Sequence, residues 1–206
     1  MRRIAALTLA LVGAVGLLHT PLGRPLMRRL GATCPARAVS PAAAEALRQR
    51  GVGALRGGRP APERPALGLA LDGARREDAR RWAASRGGTC QARERPSSLL
   101  TCRSVPAYDE VAFGFAPDGR LVSVATLREH LPARMAADRF GEIQRALTAR
   151  LGSGALAGDP TESHLRGGPL HLARLQYRFS DYLATVTAMN LPGGVALREQ
   201  YQSATD

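Results

Sequence analysis

Lysine is absent from this chain, and all 29 of its basic residues are arginine. That absence removes the side chain a phosphate-binding loop uses. The glycine-rich pieces Gly51-Val-Gly53 and Gly152-Ser-Gly154 each follow a helical stretch and read as helix stops. The missing lysine reads first as a bias of genome composition and only second as a binding feature. Aromatics are scarce as well: 4 Phe, 4 Tyr and 1 Trp in 206 residues are a modest supply for a core. With 3 Cys and 4 His the chain is also short of soft metal ligands. His130, His164 and His171 lie outside the N-terminal apolar run, and the last two are seven positions apart, without the one-turn spacing of a helical metal pair. No C-x-x-C redox motif occurs, and Ser104, Ser123 and Ser163 lack the G-x-S-x-G context of a hydrolase nucleophile. No metal, cofactor or catalytic residue is expected.

The formal charge of +12 invites a nucleic-acid reading, but its distribution argues against one. Residues 1–64 carry 11 Arg against 2 acids, residues 65–130 carry 10 against 8, and residues 131–206 carry 8 against 7. The excess therefore sits in the N-terminal part. A basic tail without a recognition motif is a weak sign of nucleic-acid binding.

Met1-Arg-Arg precedes Ile4–Leu18, fifteen residues without a charge, and this pattern reads as an export signal. The run is short for a span but stretches to Leu22 if His19 and Pro21 sit at the interface. No clean small-x-small site follows it, so an uncleaved signal-anchor over residues 1–22 is expected. Such an anchor would place the C-terminal domain in the periplasm, and secretion after cleavage is the alternative. Arg24, Arg28 and Arg29 could rest on anionic headgroups or simply be solvated. Gly31-Ala-Thr-Cys34 falls short of a lipoprotein box because Thr33 precedes the cysteine and Arg28 and Arg29 separate it from the apolar run.

Residues 23–65 read as a basic linker with a short helix at 40–50. Ser40 is the hydroxyl N-cap of that helix, Pro41 its first residue and Gly51 its stop. Gly51–Pro65 reads as a flexible spacer, and a globular domain is expected over 66–206. Leu67–Leu71 looks like a short strand, followed by a helix over Ala74–Arg86 with Trp82 as a core anchor. Two more short strands lie at Thr89–Ala92 and Leu99–Arg103. Val111–Phe115 and Leu121–Ala125 flank Pro117-Asp118-Gly119, a hairpin signal. A long helix is expected over Ala133–Leu151, its stripe formed by Phe140, Ile143, Leu147 and Leu151. Gly158–Pro169 reads as a polar loop. Three alternating strands then run through Ala173–Phe179, Tyr182–Asn190 and Val195–Tyr201, a meander with one polar face.

The fold class this implies is α+β. Two helix-plus-antiparallel-meander units form one sheet with the helices packed on one face, behind the N-terminal signal-anchor helix. The run Ala74–Trp82, a helix after a short strand, leads to Phe113–Val124 with its Pro-Asp-Gly turn. On these residues the stretch Leu67–Ala125 resembles the small α+β envelope proteins of the SmpA/OmlA and β-lactamase-inhibitor type. The resemblance implies a protein that works by binding other envelope proteins, and it carries over no functional residue.

Cys90 and Cys102 lie on adjacent expected strands with eleven residues between them, and an exported chain meets an oxidising compartment. A structural disulfide between them is expected, worth about 3 kcal/mol by loop-closure entropy. Cys34 is then left over, free or in an intermolecular bond. Arg174, Gln176 and Arg178 on one strand and Arg198 and Gln200 on another would line the sheet face away from the helices. There they could hold a carboxylate-bearing partner or an anionic envelope polymer, or form an ordinary solvated face. The functional expectation is a membrane-tethered, non-enzymatic module that binds another envelope protein, with the membrane contacted through Ile4–Leu22. The alternative is an envelope enzyme or small-ligand-binding protein with its site between helices and sheet.

Overall fold

In the computed structural model of the protein, residues 40–92 and 98–205 are described. The expected export segment Ile4–Leu22, the basic stretch with Arg24, Arg28 and Arg29, and Cys34 all lie outside them. Among the described residues no helix is long and apolar enough to cross a membrane.

Four helices and eight strands follow one another in the described residues. After α1 (Pro41–Gly53) and α2 (Arg76–Ala84) comes a four-stranded meander of β1 (Thr89–Ala92), β2 (Leu99–Arg103), β3 (Glu110–Phe115) and β4 (Leu121–Leu131). Then come α3 (Ala133–Leu151), β5 (Ala155–Gly158), α4 (Glu162–Arg166), β6 (Leu172–Arg178), β7 (Tyr182–Leu191) and β8 (Gly194–Ser203). The strands form a single eight-stranded sheet in the order β1-β2-β3-β4-β8-β7-β6-β5. All neighbours are antiparallel. Each half of the chain thus builds its own meander behind a helix, and the two join through the β4–β8 pairing.

The turns are where their residues require them. Gly119 has φ 84°, Ala116 N–H bonds the Arg120 carbonyl, and the β3–β4 reversal closes on Pro117-Asp118-Gly119. Leu191 pairs with Gly194 across Pro192-Gly193, with proline and a positive-φ glycine (φ 98°) as the two central residues. The stripe of α3 is realised as well: Ala136, Phe140, Leu147 and Leu151 are buried and Ile143 packs against the same core. Trp82 meets the Phe113 ring edge-on at 5.7 Å and donates its indole N–H to the Leu67 carbonyl at 2.9 Å. It is a core anchor. The core lies between α2, α3, α4 and one sheet face, where Val111, Phe113, Val124, Leu175, Val186 and Leu197 are fully covered.

The structure corrects three expectations. Leu67–Leu71 is not a strand: Leu67 (φ 58°) and Gly68 (φ 83°) turn the chain, and Leu71 plugs the core from an irregular segment. The loop expected over Gly158–Pro169 contains α4, and β5 precedes it as an edge strand. The spacer Gly51–Pro65 is docked. Gly57 N–H bonds the Phe179 carbonyl, Ser180 N–H bonds the Arg59 carbonyl, Ala61 N–H bonds Asp181 Oδ1, and the buried Tyr182 hydroxyl bonds the Pro65 carbonyl. Backbone groups dominate these contacts, so a polar composition does not keep the segment in solvent. The helices of the two expected units, α2 and α3, both pack on the core face, whereas α1, expected within the linker, does not. Leu183 alternates away from the core residues Tyr182 and Ala184, and its cover is Val52 of α1 together with Ala204. The α1 helix therefore sits at the β7–β8 corner of the other face. Its N-terminus is capped by Ser40, whose side chain accepts from Ala43 N at 3.2 Å, and it runs two residues past the expected stop.

Candidate interaction face

Strand alternation decides which side chains reach the face that α2, α3 and α4 leave uncovered. On β6, Ala173, Leu175 and Tyr177 turn inward, so Arg174, Gln176 and Arg178 turn outward. On β8, Val195, Leu197, Glu199 and Tyr201 are buried, and Arg198 and Gln200 face out. All five expected residues therefore lie on one face. The register brings them together through β7: Arg174 and Arg198 are both opposite Thr187, and Gln176 and Gln200 are both opposite Thr185. Arg178 donates to Gln176 Oε1 at 2.9 Å. The two threonines between the pairs went unassigned in the sequence, although the alternation in Tyr182–Asn190 carries them.

The Gln200 row continues across the sheet as Ala125, Ala112 and Thr101, cross-strand neighbours with short side chains. The Arg198 row continues as Leu127 and Glu110. Glu110 lies 3.7 Å from Arg103. At this end a depression of about 190 Å³ is lined by Thr89, Gln91, Thr101, Arg103 and Glu110. Sequence reading missed it, because a hollow depends on the three-dimensional course of the sheet. The face thus carries Thr, Ala, Gln and Ser together with Leu127, Glu110 and the arginines. Arg174 and Arg198 are exposed, and among the described residues neither has a hydrogen-bond or ion-pair partner. Two strand spacings separate them, about 9–10 Å at their bases.

The disulfide is on the opposite side of the first meander. Cys90 and Cys102 are directly paired residues of β1 and β2, joined by an S–S bond with Cys102 fully buried. The bond fastens the outermost strand to the sheet. His164 and His171 stack with ring centres 4.6 Å apart, and His171 Nδ1 lies 2.8 Å from the His164 carbonyl oxygen. No group of three or more His, Cys, Asp or Glu side chains that could hold a metal occurs among the described residues.

A second polar cluster ties the segment before α2 to the end of β8. Asp72 (φ 65°) accepts from Arg64 Nη2, Ser203 Oγ and Thr205 Oγ1 at 2.5, 2.7 and 2.9 Å. Burial pushes its pKa up, but the hydrogen bonds from Arg64, Ser203 and Thr205 and the Arg64 charge outweigh it and hold the carboxyl below its ordinary value. The buried phenols of Tyr182 and Tyr201 are pushed well above the ordinary range, in both cases mainly by loss of solvent.

No protein-family model matches this chain, and no curated protein or solved structure compared with it matches either.

Proposed function

We propose that this protein is a non-enzymatic interaction module of the cell envelope. It is tethered by its N-terminal apolar segment and binds another envelope protein through the open sheet face. The observation that carries the reading is the arginine pair Arg174 and Arg198, without a partner among the described residues and held in fixed register on either side of Thr187. The sheet fixes where the two side chains start, about 9–10 Å apart at their bases, so the pair presents guanidinium donors to two carboxylates. The short Ala and Thr side chains of the neighbouring row allow a protein surface to approach closely. A phosphate polymer suits this face less well, because such binding relies on dense basic stripes. The partner surface is therefore acidic.

The envelope location rests on Met1-Arg-Arg with the apolar run to Leu22 and on the Cys90–Cys102 disulfide. The test is crosslinking in intact cells, with purification of the tagged full chain from the membrane fraction. One envelope protein is expected in near-equal yield, and Arg174→Glu/Arg198→Glu is expected to abolish its recovery. Recovery of the same partner by the double variant would remove the face from the proposal, and a cytoplasmic protein in the soluble fraction would remove the location.

A further inference from the structure

Where β4 approaches the start of α3, the backbone departs from regular strand geometry. The β4–β8 register shifts between Arg128 and Leu131, His130 has φ 55°, and Ala107 in the loop before β3 has φ 70°. Bulges and positive-φ residues of this kind gather at functional sites. Here they frame a cavity of about 320 Å³ between the 107–109 loop, the end of β4 and the first turns of α3. Tyr108, Leu131 and Met135 give it apolar surface, and Arg128 and Arg139 line it with cationic groups.

Arg128 is the unusual member. Its side chain is only 14% exposed and lies over the Tyr108 ring, with the guanidinium carbon 4.8 Å from the ring centre. Its nearest carboxylate, Glu199, is 4.0 Å away. Both oxygens of Glu199 are already engaged: Tyr201 donates to Oε2 at 2.5 Å and Thr126 to Oε1 at 3.2 Å. The buried Nε–H of Arg128 has no acceptor. A guanidinium carries five N–H donors, and a buried polar group without a partner is costly. The other charged groups lining the cavity are of both signs, and the exposed carboxylate of Glu129 adds a negative charge at its mouth. Asp109 Oδ2 accepts from Glu129 N at 2.6 Å, and Arg139 bonds Glu142 at 2.6 Å.

From this arrangement we infer that the cavity between the 107–109 loop, β4 and α3 is a binding site for a small organic carboxylate. The carboxylate meets the under-satisfied guanidinium of Arg128, and an apolar body packs on Tyr108, Leu131 and Met135. The site lies on the helix side of the sheet and is separate from the arginine face. A carboxylate here would meet the cavity-facing edge of the Arg128 guanidinium without breaking the Glu199 cluster.

Benzoate is the probe, because it joins a carboxylate to a flat apolar ring, and benzamide is its neutral match. Titration of the full chain is followed by the Nε–H resonance of Arg128 in ¹⁵N NMR spectra. A saturable shift with benzoate and none with benzamide is expected. Arg128→Gln removes the cation, and Met135→Glu places a negative charge at the exposed mouth. Each is expected to weaken benzoate binding about tenfold or more. A shift that never saturates, an equal response to benzamide, or unaltered binding by a folded variant overturns the inference. Should Arg128→Gln fail to fold, Met135→Glu on the exposed first turns of α3 still decides the matter.

Discussion

Tyr182, at the start of β7, donates its buried hydroxyl hydrogen to the carbonyl of Pro65, 117 positions earlier in the chain. This bond fixes the strap of residues 57–65 on the domain. Tyr182→Phe keeps the ring and leaves the Pro65 carbonyl without its donor, so stability is expected to fall by about 1–3 kcal/mol in urea unfolding. Gly57→Ala attacks the same strap from its other end. An added Cβ would lie 2.2 Å from the Arg178 carbonyl oxygen, a backbone atom that cannot swing away. Limited proteolysis within 57–65 is expected to be slow in the native protein and fast in Gly57→Ala. Equal cleavage of both would mean that the strap is free in solution.

Asp72 sets an acid limit. Its folded-state pKa lies below the ordinary value, so protonation favours the unfolded chain. Its contribution is complete above the unfolded carboxyl pKa of about 3.9 and is lost as pH falls through the lowered folded value. The urea midpoint of Asp72→Asn is expected below that of the native protein at pH 7, with the gap narrowing at pH 3. A gap that stays constant with pH would show that the side chain contributes shape alone.

Cys90 and Cys102 close a loop whose ends already lie opposite one another in the sheet. Replacing both with alanine is expected to cost about 3 kcal/mol, chiefly because the unfolded chain regains the freedom of that loop. Denatured without reductant, neither cysteine should take up iodoacetamide. Labelling at either position would mean that the bond does not form in the isolated protein.

What the sequence could convey depended on whether a feature is local. The helix over Ala133–Leu151 was legible to its ends and the hairpin at Pro117-Asp118-Gly119 by its turn, because a long 3.6-residue period and a positive-φ glycine are written in neighbouring residues, although β4 runs on to Leu131, past the expected Ala125. The outward set on β6 and β8 was legible for the same reason, since alternation alone assigns Arg174 and Arg198 to one face. By contrast, Ala155–Gly158 has four exposed residues with no alternation, and it is a strand only because β6 is beside it. Leu67–Leu71 has a strand-like composition, but the Trp82 and Leu121 contacts of this region hold it in a turn. The strap was misread because its glycines, prolines and arginines look solvated, while its attachment is through backbone groups with partners more than a hundred residues away. The cavity at Arg128 was illegible as well, since the buried arginine and its distant partners Tyr108 and Glu199 meet only in three dimensions.

Glu199 and Arg128 give the last prediction. The carboxylate is almost fully buried and is oriented by Tyr201 and Thr126, with the guanidinium 4.0 Å from it. At that distance the two charges are not hydrogen-bonded, yet each is the nearest compensation the other has within the protein. Glu199→Ala removes the acceptor of two buried hydroxyls and leaves the cation uncompensated, so a loss of about 3 kcal/mol or more is expected. Arg128→Met fills similar volume without charge and should be milder, because Glu199 keeps its two hydroxyl donors. In the double variant the penalties should partly cancel, with a coupling of about 0.5–3 kcal/mol in urea unfolding. Strict additivity would mean that the two charges do not sense each other. Arg128 would then be held by Tyr108 alone, leaving its charge still more dependent on whatever enters the cavity.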